Sequence, residues 1–302
     1  MEHADLDFLI SGRAAELKFP YDFKYRYHGV FFHFGKRGGV NYLKSIRSLR
    51  PIRFLIDMKQ CPVKKYDAVI NDFEPVSAWA SHIKKVKCIA VSHQASFYSE
   101  KVPRPKKRNH LFEFGMQKFA PYSAAVGTHY KAYDEGICLP IIREELLGAN
   151  VVEGNRVLVY LPAFADEILI EHFSKLSDQE WTIFSKKTER AYVSGNVEVY
   201  PVNREAYSKA LIHAKAVVIG SGFQGTSEAL YLGKKILSIP MFDQYEQLCN
   251  AAALEELGVE IVYRVDRDFP DVLKNWLNSD NRCHYRFQSD VGSMAQKILS
   301  LV

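Results

Sequence analysis

The sequence predicts an α/β protein of two successive domains, each with a parallel sheet covered by helices on both faces. Short runs rich in Ile and Val alternate with helical stretches, which is the pattern of βαβ units. The pattern restarts after residue 150, and 302 residues suffice for two domains of ordinary size. We therefore place the N-terminal domain at residues 1–148 and the C-terminal domain at 149–302. The connection lies within residues 142–154, where Glu153-Gly154-Asn155 favours a turn.

In the first half, the apolar runs predict four strands, and one helix separates two of them. Each run is short and suits a strand that is buried on both faces. The predicted strands are residues 6–10, 53–56, 68–70 and 88–91, and the predicted helix is 76–85.

The second half repeats this order. Gly258 follows one of its helices and is predicted to act as a C-terminal cap residue. The predicted strands are residues 156–161, 181–185, 197–200, 216–219 and 235–239, and the predicted helices are 166–176, 205–213, 226–232, 247–257 and 291–301.

Composition and charge exclude several classes of protein. The chain is 47% hydrophobic and 25% charged, and no apolar run approaches the roughly 18–20 residues of a membrane span. The N-terminus lacks the basic and apolar regions of a signal peptide, and the five cysteines have no zinc or redox spacing. We therefore expect a cytoplasmic protein with reduced thiols. Residues 1–150 carry 24 Lys and Arg against 15 Asp and Glu. This basic half either attracts anionic partners or is an ordinary solvated surface.

One segment has the residue types of a phosphate-binding turn. The strand at 216–219 runs into Gly220-Ser-Gly-Phe-Gln-Gly225, and this turn opens a helix. Glycines let the backbone approach a ligand, and a helix N-terminus offers free N–H groups and a positive dipole end to phosphate. Thr226 and Ser227 are predicted to cap the helix. The turn is not a P-loop, because no Gly-Lys-Ser/Thr follows it.

Polar residues beyond this turn suit the hydroxyl groups of a nucleotide sugar. The Glu228 carboxylate can accept two hydrogen bonds from a ribose diol, or it simply favours the helix N-terminus, and we expect it outside the core. Glu246, Gln247 and Asn250 follow at the start of a helix, with Gln247 and Asn250 on one face. Carboxylate and amide groups together fit the hydroxyls of a sugar.

These residues resemble the donor-site signature of the GT-B glycosyltransferases. The likeness runs through Gly222-x-x-Gly225-Thr-x-Glu228-Ala-Leu-x-x-Gly233, Pro240 and Glu246-Gln247-x-x-Asn250-Ala251. Similar strings occur in the UDP-glycosyltransferases and in the bacterial transferase that adds N-acetylglucosamine during peptidoglycan synthesis. A group of bacterial and archaeal GT-B proteins is also similar at Ser11-Gly12-Arg13, Asp72-Phe73-Glu74-Pro75, Ser92-His93-Gln94 and Pro140-Ile-Ile-Arg143. The resemblance thus covers nearly the whole chain.

The resemblance implies the GT-B fold, in which two Rossmann-like domains face a cleft, and it assigns a donor site in the C-terminal domain. Such enzymes need no bound metal or cofactor, because the helix N-terminus stabilises the leaving diphosphate, and the chain has no Asp-x-Asp motif. By this resemblance Glu228 binds the ribose hydroxyls, Ser221, Gly222, Gly225 and Thr226 hold the diphosphate, Glu246 and Gln247 bind the donor sugar, and Asn250 supports the loop.

The start of the chain departs from the family pattern. The family opens with a strand, a Gly-x-Gly-His-type loop that bears the general base, and a helix, whereas residues 6–13 here resemble the family's second strand. The expected explanation is either a start at an internal methionine or a natively reduced domain. The remaining catalytic candidates of this domain are Asp72, Glu74 and His93. Asp72 resembles the aspartate that partners the base histidine in related transferases and is otherwise a helix N-cap, and His93 is otherwise structural. His93 follows a strand at the carboxyl edge, where α/β sheets bind ligands.

Residues 101–108, KVPRPKKR, place five positive charges in a loop that two prolines interrupt. Three roles remain open for this loop: contact with an anionic or lipid-linked acceptor, peripheral contact with the inner face of a membrane, or simple solvation. No nucleic-acid recognition motif accompanies the charge, so we expect no nucleic-acid partner.

Together these features predict an inverting, metal-independent glycosyltransferase of hexosyl or N-acetylhexosaminyl type. Its donor is a nucleotide sugar, UDP-linked by the resemblance, and its acceptor is unknown. Two alternatives remain: an enzyme resembling the GT-B epimerases of UDP-N-acetylglucosamine, and a catalytically impaired nucleotide-sugar-binding protein. The second follows from the absent histidine loop and predicts donor binding with slow transfer.

Overall fold

The computed structural model describes residues 4–12, 21–30 and 50–302. Arg13 of the Ser11-Gly12-Arg13 motif therefore lies outside the described residues. Two strands near the start of the chain, β1 (Phe8–Ser11) and β2 (Phe23–Tyr27), form a separate parallel pair. The predicted strand at 6–10 corresponds to β1.

A second sheet of the N-terminal domain has four parallel strands in chain order. Helices connect β3 to β4 and β4 to β5, as expected for parallel neighbours, whereas a loop without a helix connects β5 to β6. The strands are β3 (Ala68–Asn71), β4 (Lys87–Ser92), β5 (Ala124–Thr128) and β6 (Ile137–Cys138), and the helices are α1 (Pro51–Gln60), α2 (Pro75–Lys84), α3 (His93–Ser96) and α4 (His110–Phe119).

The predicted strand at residues 53–56 is wrong, because these residues belong to α1. Pro51 occupies the first turn of this helix, where its missing N–H group costs no hydrogen bond. Phe54 and Met58, four residues apart, pack into one hydrophobic cluster with Val76 of α2. The helical spacing of these two side chains therefore decides the structure, although the local run Arg-Phe-Leu-Ile resembles a strand.

The C-terminal domain has a seven-stranded sheet in the order β13-β12-β11-β7-β8-β10-β9. All neighbours are parallel except β9, which is antiparallel to β10. The strands are β7 (Arg156–Tyr160), β8 (Glu180–Ser185), β9 (Tyr192–Ser194), β10 (Val197–Pro201), β11 (Ala216–Gly220), β12 (Lys235–Ile239) and β13 (Glu260–Ile261). The helices are α5 (Asp166–Phe173), α6 (Arg204–His213), α7 (Phe223–Tyr231), α8 (Tyr245–Glu256), α9 (Phe269–Asn278) and α10 (Val291–Leu299).

Alternate residues of the central strands belong to different hydrophobic cores. Val157 and Val159 of β7 face one cluster with Trp181, whereas Leu158 faces the other with Val217 of β11. Both faces of this sheet are buried, which explains why the strands read as continuous apolar runs rather than alternating ones.

The two sheets meet at a cleft between the domains. Phe97 and Met116 of the first domain share a hydrophobic cluster with Tyr245 and Cys249 of α8. The chain also returns to the first domain after α9. In this return, Lys297 of α10 donates a hydrogen bond to the carbonyl of Glu135, and Lys87 Nζ donates one to the C-terminal Val302 oxygen at 2.9 Å.

Candidate functional site

A cavity of about 540 Å³ opens at the carboxyl ends of β7, β8, β11 and β12. This is the edge where open α/β sheets bind ligands. Apolar side chains form most of its wall, and glycine backbone borders it beside α7. Its lining includes Tyr160, Leu161, Pro162, Ala163, Phe164, Lys186, Lys187, Ile219, Gly220, Gly222, Gly225, Ile239, Met241, Gln244 and Gln247.

Helix α7 begins at the cavity wall. Gly222 is its N-cap and provides no side-chain cap. The helix starts at Phe223, three residues before the predicted start at 226, so Gly225 and Thr226 already lie in its first turns. The first N–H groups of a helix have no partner within the helix, and its dipole is positive at this end. The backbone around Gly222 therefore offers the cavity an anion-binding edge.

The prediction that Thr226 and Ser227 cap this helix is wrong, since both residues are buried inside it. Thr226 Oγ1 hydrogen-bonds the Gly222 carbonyl at 2.8 Å and Tyr130 Oη at 2.6 Å. The Ser221 hydroxyl points into the domain, where it meets Ser238 Oγ at 2.8 Å. At Ser221 and Thr226 the groups available to a diphosphate are thus those of the backbone rather than the hydroxyls.

The expectation that Glu228 lies outside the core is also wrong, because this residue is only 1% exposed. It is the sixth residue of α7 and is therefore beyond the first turn. Arg143, from the connection between the domains, donates two hydrogen bonds of 2.6 Å to its two oxygens. Gln224 donates a third at 2.8 Å. A carboxylate has about four acceptor positions, so these three hydrogen bonds do not use all of them. Glu228 is not among the residues that line the cavity.

The structure brings Gln247 and Asn250 to the same region through α8. Gln247 lines the cavity, and its Oε1 accepts a hydrogen bond from the Met241 N–H at 3.0 Å. Asn250 is fully buried and donates to the Ser221 carbonyl at 3.0 Å, which fixes the loop before α7. Glu246 lies toward the first domain instead, where it accepts a hydrogen bond from Gln94 at 3.1 Å.

His93 joins the two domains. Its Nδ1 lies 2.8 Å from the Thr128 carbonyl and its Nε2 lies 2.7 Å from Asn250 Oδ1, while its ring stacks on Phe223 at 3.8 Å between centroids. Burial lowers the pKa of His93, and the negative charge of Glu246 partly opposes that shift. Neither ring nitrogen is free in this arrangement, so action as a base requires the contact with Asn250 to break.

Asp72 directly follows β3 at the carboxyl edge of the first sheet. Glu74 is the N-cap of α2, so the alternative role of Asp72 as that cap is excluded. The Asp72 side chain is exposed to solvent, yet desolvation by surrounding protein raises the pKa of its carboxyl group. Accessibility combined with a raised pKa is typical of a carboxyl group in a cleft.

The comparisons with known proteins agree with this geometry. The model of the family named Glycosyl transferase family 1 matches residues 50–279. The chain belongs to glycosyl transferase family 1. No curated protein sequence matches it.

Solved structures show the fold of this glycosyltransferase. It is similar to Arabidopsis thaliana UGT89C1 complexed with quercetin, with a TM-score of 0.56 and 12% identity over 90% of this chain and 82% of that chain. Acinetobacter baumannii MurG gives a TM-score of 0.54 and 12% identity over 83% and 77% of the two chains. The chain spans 64% of the length of the glycosyltransferase SnogD from Streptomyces nogalater, with 70% of this chain covered, 13% identity and a TM-score of 0.46. The predicted GT-B fold is thus confirmed.

The sequence does not predict several of the residues at this cavity. Lys186 and Lys187 follow β8 and line the cavity, and Lys187 Nζ donates to the Phe164 carbonyl at 2.5 Å. Their position directly after a buried strand is the feature of the sequence that could have indicated them. In the sequence, Arg143 stands out only as part of the motif Pro140-Ile-Ile-Arg143. Its ion pair with Glu228 spans 85 positions, and local pattern does not reveal such a contact.

The basic segment 101–108 of the glycosyltransferase is a loop, as predicted, but internal ion pairs hold much of its charge. Arg104 and Arg108 both pair with Glu113, and Lys101 pairs with Asp134 at 2.8 Å. Lys106 and Lys107 are exposed. Among the described residues no helix is long and apolar enough to cross a membrane.

Proposed function

We propose that this glycosyltransferase moves a sugar from a nucleoside diphosphate donor, UDP-linked by its resemblance, to an acceptor nucleophile. The cavity beside the N-terminus of α7 supports this proposal most directly. Its apolar walls suit a planar base, Lys186 and Lys187 attract phosphate, and the backbone at Gly222 and Gly225 is open to a diphosphate. Gln247 lies at the same cavity as a partner for the donor sugar.

The proposed chemistry is a direct displacement with inversion. The acceptor oxygen attacks the anomeric carbon, the bond from that carbon to the diphosphate oxygen breaks, and the nucleoside diphosphate leaves. The acceptor proton passes to a base of the first domain, and Asp72 is favoured because it is accessible whereas both nitrogens of His93 are engaged. The helix N-terminus stabilises the leaving diphosphate, which supports catalysis without a bound metal.

Calorimetric titration with UDP, ADP, GDP and dTDP tests the donor assignment. We expect UDP to bind, and we expect Lys187→Ala to weaken its affinity about fivefold, the scale of one solvent-exposed charge contact. Lys175→Ala is the matched control, because Lys175 is also exposed but does not line the cavity. If none of the four nucleotides binds, the donor site is wrongly assigned.

Product analysis separates the transferase from the two alternatives. A transferase releases UDP from a UDP-hexose or UDP-N-acetylhexosamine and gives a glycoside of inverted configuration when an acceptor is supplied. An epimerase resembling those of UDP-N-acetylglucosamine converts that donor to its epimer, which nuclear magnetic resonance detects. A catalytically impaired protein binds UDP and gives neither product.

We further propose a cytoplasmic protein whose acceptor is anionic or lipid-linked and which contacts the inner face of a membrane. The exposed Lys106 and Lys107 lie next to α4, where Leu111 is 82% and Phe114 is 59% exposed. Apolar side chains beside lysines fit an anionic lipid surface. Co-sedimentation with vesicles of phosphatidylglycerol, compared with phosphatidylcholine and with the Leu111→Ser variant, tests this contact.

A further inference from the structure

The polar contact between Gln94 and Glu246 crosses the cleft at a place that solvent reaches. Gln94 Nε2 donates to Glu246 Oε2 at 3.1 Å, and both residues are partly exposed. The neighbouring contact from His93 to Asn250 is buried, with exposed fractions of 8% and 0% for the two residues. The pair of His93 and Asn250 therefore belongs to the interior of the domain boundary, whereas Gln94 and Glu246 lie where a ligand in the cleft can touch them.

Elements of different domains hold these two side chains. Gln94 lies in the first turn of α3, directly after the carboxyl end of β4. Glu246 is the second residue of α8, where the positive end of the helix dipole favours its charge. Gln244 and Gln247, on either side of Glu246 in the chain, line the cavity beside α7. The contact thus lies close to that cavity and joins it to the first domain.

The contact leaves one acceptor oxygen open on each side chain. Gln94 Oε1 and Glu246 Oε1 have no hydrogen-bond partner among the described residues. An amide oxygen and a carboxylate oxygen both accept hydrogen bonds, so these two atoms fit ligand hydroxyl groups and do not fit phosphate. A sugar offers adjacent hydroxyl groups that can donate to such acceptors. The chemistry of this pair therefore points to the sugar rather than to the diphosphate of a sugar nucleotide.

We propose that Gln94 is a positioning residue for the transferred sugar, and this rests on the proposed nucleoside diphosphate donor. The Gln94 amide holds the Glu246 carboxylate so that its open oxygen accepts a hydroxyl group of the sugar. An arginine or a lysine at position 94 would neutralise the carboxylate, whereas an amide orients it and leaves its charge in place. Because the two side chains come from different domains, this part of the sugar site is complete only when the domains are closed.

Exchanging the two functional groups separates positioning from ordinary packing. Gln94→Glu sets two carboxylates against each other. The double variant Gln94→Glu/Glu246→Gln restores a hydrogen bond between an amide and a carboxylate, with the roles of the two positions reversed. Gln60→Glu is the matched control, because it adds the same charge to the first domain at the exposed end of α1. Thermal unfolding without ligand verifies that each variant is folded.

Calorimetry measures the affinity of each protein for UDP, UDP-glucose and UDP-N-acetylglucosamine. We expect Gln94→Glu to bind the sugar nucleotides about tenfold more weakly, the scale of one hydrogen bond to a charged group. Its affinity for UDP, which lacks the transferred sugar, should stay within about twofold of the wild type. The double variant should regain affinity for the sugar nucleotides relative to Gln94→Glu, and Gln60→Glu should bind all three ligands like the wild type.

Equal sugar-nucleotide affinity of Gln94→Glu and the wild type overturns the inference while the proposed donor stands. Equal losses for UDP and for the sugar nucleotides overturn the assignment to the sugar, and a double variant that binds no better than Gln94→Glu overturns the pairing. A wild type that binds UDP but neither sugar nucleotide also overturns the inference. A wild type that binds none of the three ligands refutes the proposed function itself.

Discussion

At the scale of single residues, the Glu228 carboxylate serves both the fold and the proposed donor site. Its two oxygens accept three hydrogen bonds, two from Arg143 and one from Gln224. Arg143 belongs to the segment that connects the domains, so this ion pair also ties that connection to α7. A substitution here consequently changes stability as well as ligand binding, and the two effects have to be measured separately.

Glu228→Ala should lower the free energy of unfolding by about 2–3 kcal/mol. The variant leaves the Arg143 guanidinium without its buried partner, but that side chain is 23% exposed and regains part of its hydration. Urea unfolding measures the change. Glu153→Ala is the control, because Glu153 forms a more exposed pair with Arg282, and its loss should cost less than about 1 kcal/mol. Equal costs for the two variants would contradict the structural role of Glu228.

Asp72→Asn should lower kcat for sugar transfer by about 10²–10⁴-fold, which is the contribution of a general base. The affinity for the donor should stay the same, because Asp72 belongs to the first domain and does not line the donor cavity. Asp67→Asn is the control, since Asp67 is an exposed carboxylate at the opposite end of β3. If Asp72→Asn transfers as fast as the wild type, His93 becomes the leading candidate.

The sequence could identify the polar residues near the proposed donor site but not the residues of the protein that they contact. Gly222, Gly225 and Gln247 line the cavity, and their likeness to a known signature predicted a ligand there. Arg143 carries no comparable signal, because its ion pair with Glu228 joins residues that are 85 positions apart. Such long-range contacts arise only in the packed structure and cannot be inferred from local composition.

At the scale of elements, two glycines test which backbone positions serve packing and which serve the ligand. A Cβ atom on Gly127 of β5 would lie 2.6 Å from the Cα of Ser96 in α3, whose backbone has no room to move. A Cβ atom on Gly225 would lie 2.8 Å from Ile219 Cδ1, the flexible end of a side chain. Gly127 thus sets the approach of α3 to the sheet, whereas a side chain at Gly225 would displace Ile219, which also lines the cavity.

Gly127→Ala should destabilise the protein by about 1–3 kcal/mol through overpacking, whereas Gly225→Ala should change stability by less than about 1 kcal/mol. In α7 the favourable helix propensity of alanine offsets the displacement of Ile219. UDP affinity should show the opposite order. Gly225→Ala should lose more affinity than Gly127→Ala, because the new methyl group at position 225 narrows the cavity. Thermal unfolding and UDP titration of both variants check this, and an intact UDP affinity of Gly225→Ala would contradict it.

The sequence predicts the strands whose burial on both faces produces long apolar runs, but it misses short strands such as β5, β9 and β13 and helices of mixed composition. Strands β7, β11 and β12 were predicted to within a residue, since each is buried almost throughout. The sequence predicts a strand where α1 forms, and it predicts no helix at α4. Both helices carry exposed apolar residues such as Leu55 and Leu111, which obscure the helical period.

At the scale of the whole molecule, contacts between the domains involve the residues that were predicted to bind the donor. His93 meets Asn250, Tyr130 meets Thr226, and Gln94 meets Glu246. The sequence predicted two domains and a cleft, but the pairs across that cleft are 96 to 157 positions apart in the chain. They arise only when the carboxyl ends of β4 and β5 are brought to α7 and α8.

Two histidines at this boundary predict a dependence of stability on pH. Burial lowers the pKa of His93, and it lowers the pKa of His129 well below its usual range, with a further contribution from the neighbouring His93. The folded state therefore binds fewer protons than the unfolded state when the pH falls below about 6.5, the ordinary pKa of histidine. The stability that the neutral His129 ring contributes is complete above that pH and is lost as the pH falls toward its lowered pKa.

Urea unfolding between pH 7 and pH 5 should accordingly show a loss of up to about 2 kcal/mol from His129, whose Nδ1 accepts a hydrogen bond and whose Nε2 has no partner among the described residues. His129→Asn should flatten this dependence, since the amide oxygen of asparagine can accept the hydrogen bond that Tyr130 N–H now donates to His129 Nδ1, without taking up a proton. His213→Asn is the control, because His213 is exposed and its ring nitrogen contacts only the Lys209 carbonyl of its own helix. If the slopes of wild type and His129→Asn coincide, then His129 does not gain a proton on unfolding. The His129 ring would then not be neutral in the folded state.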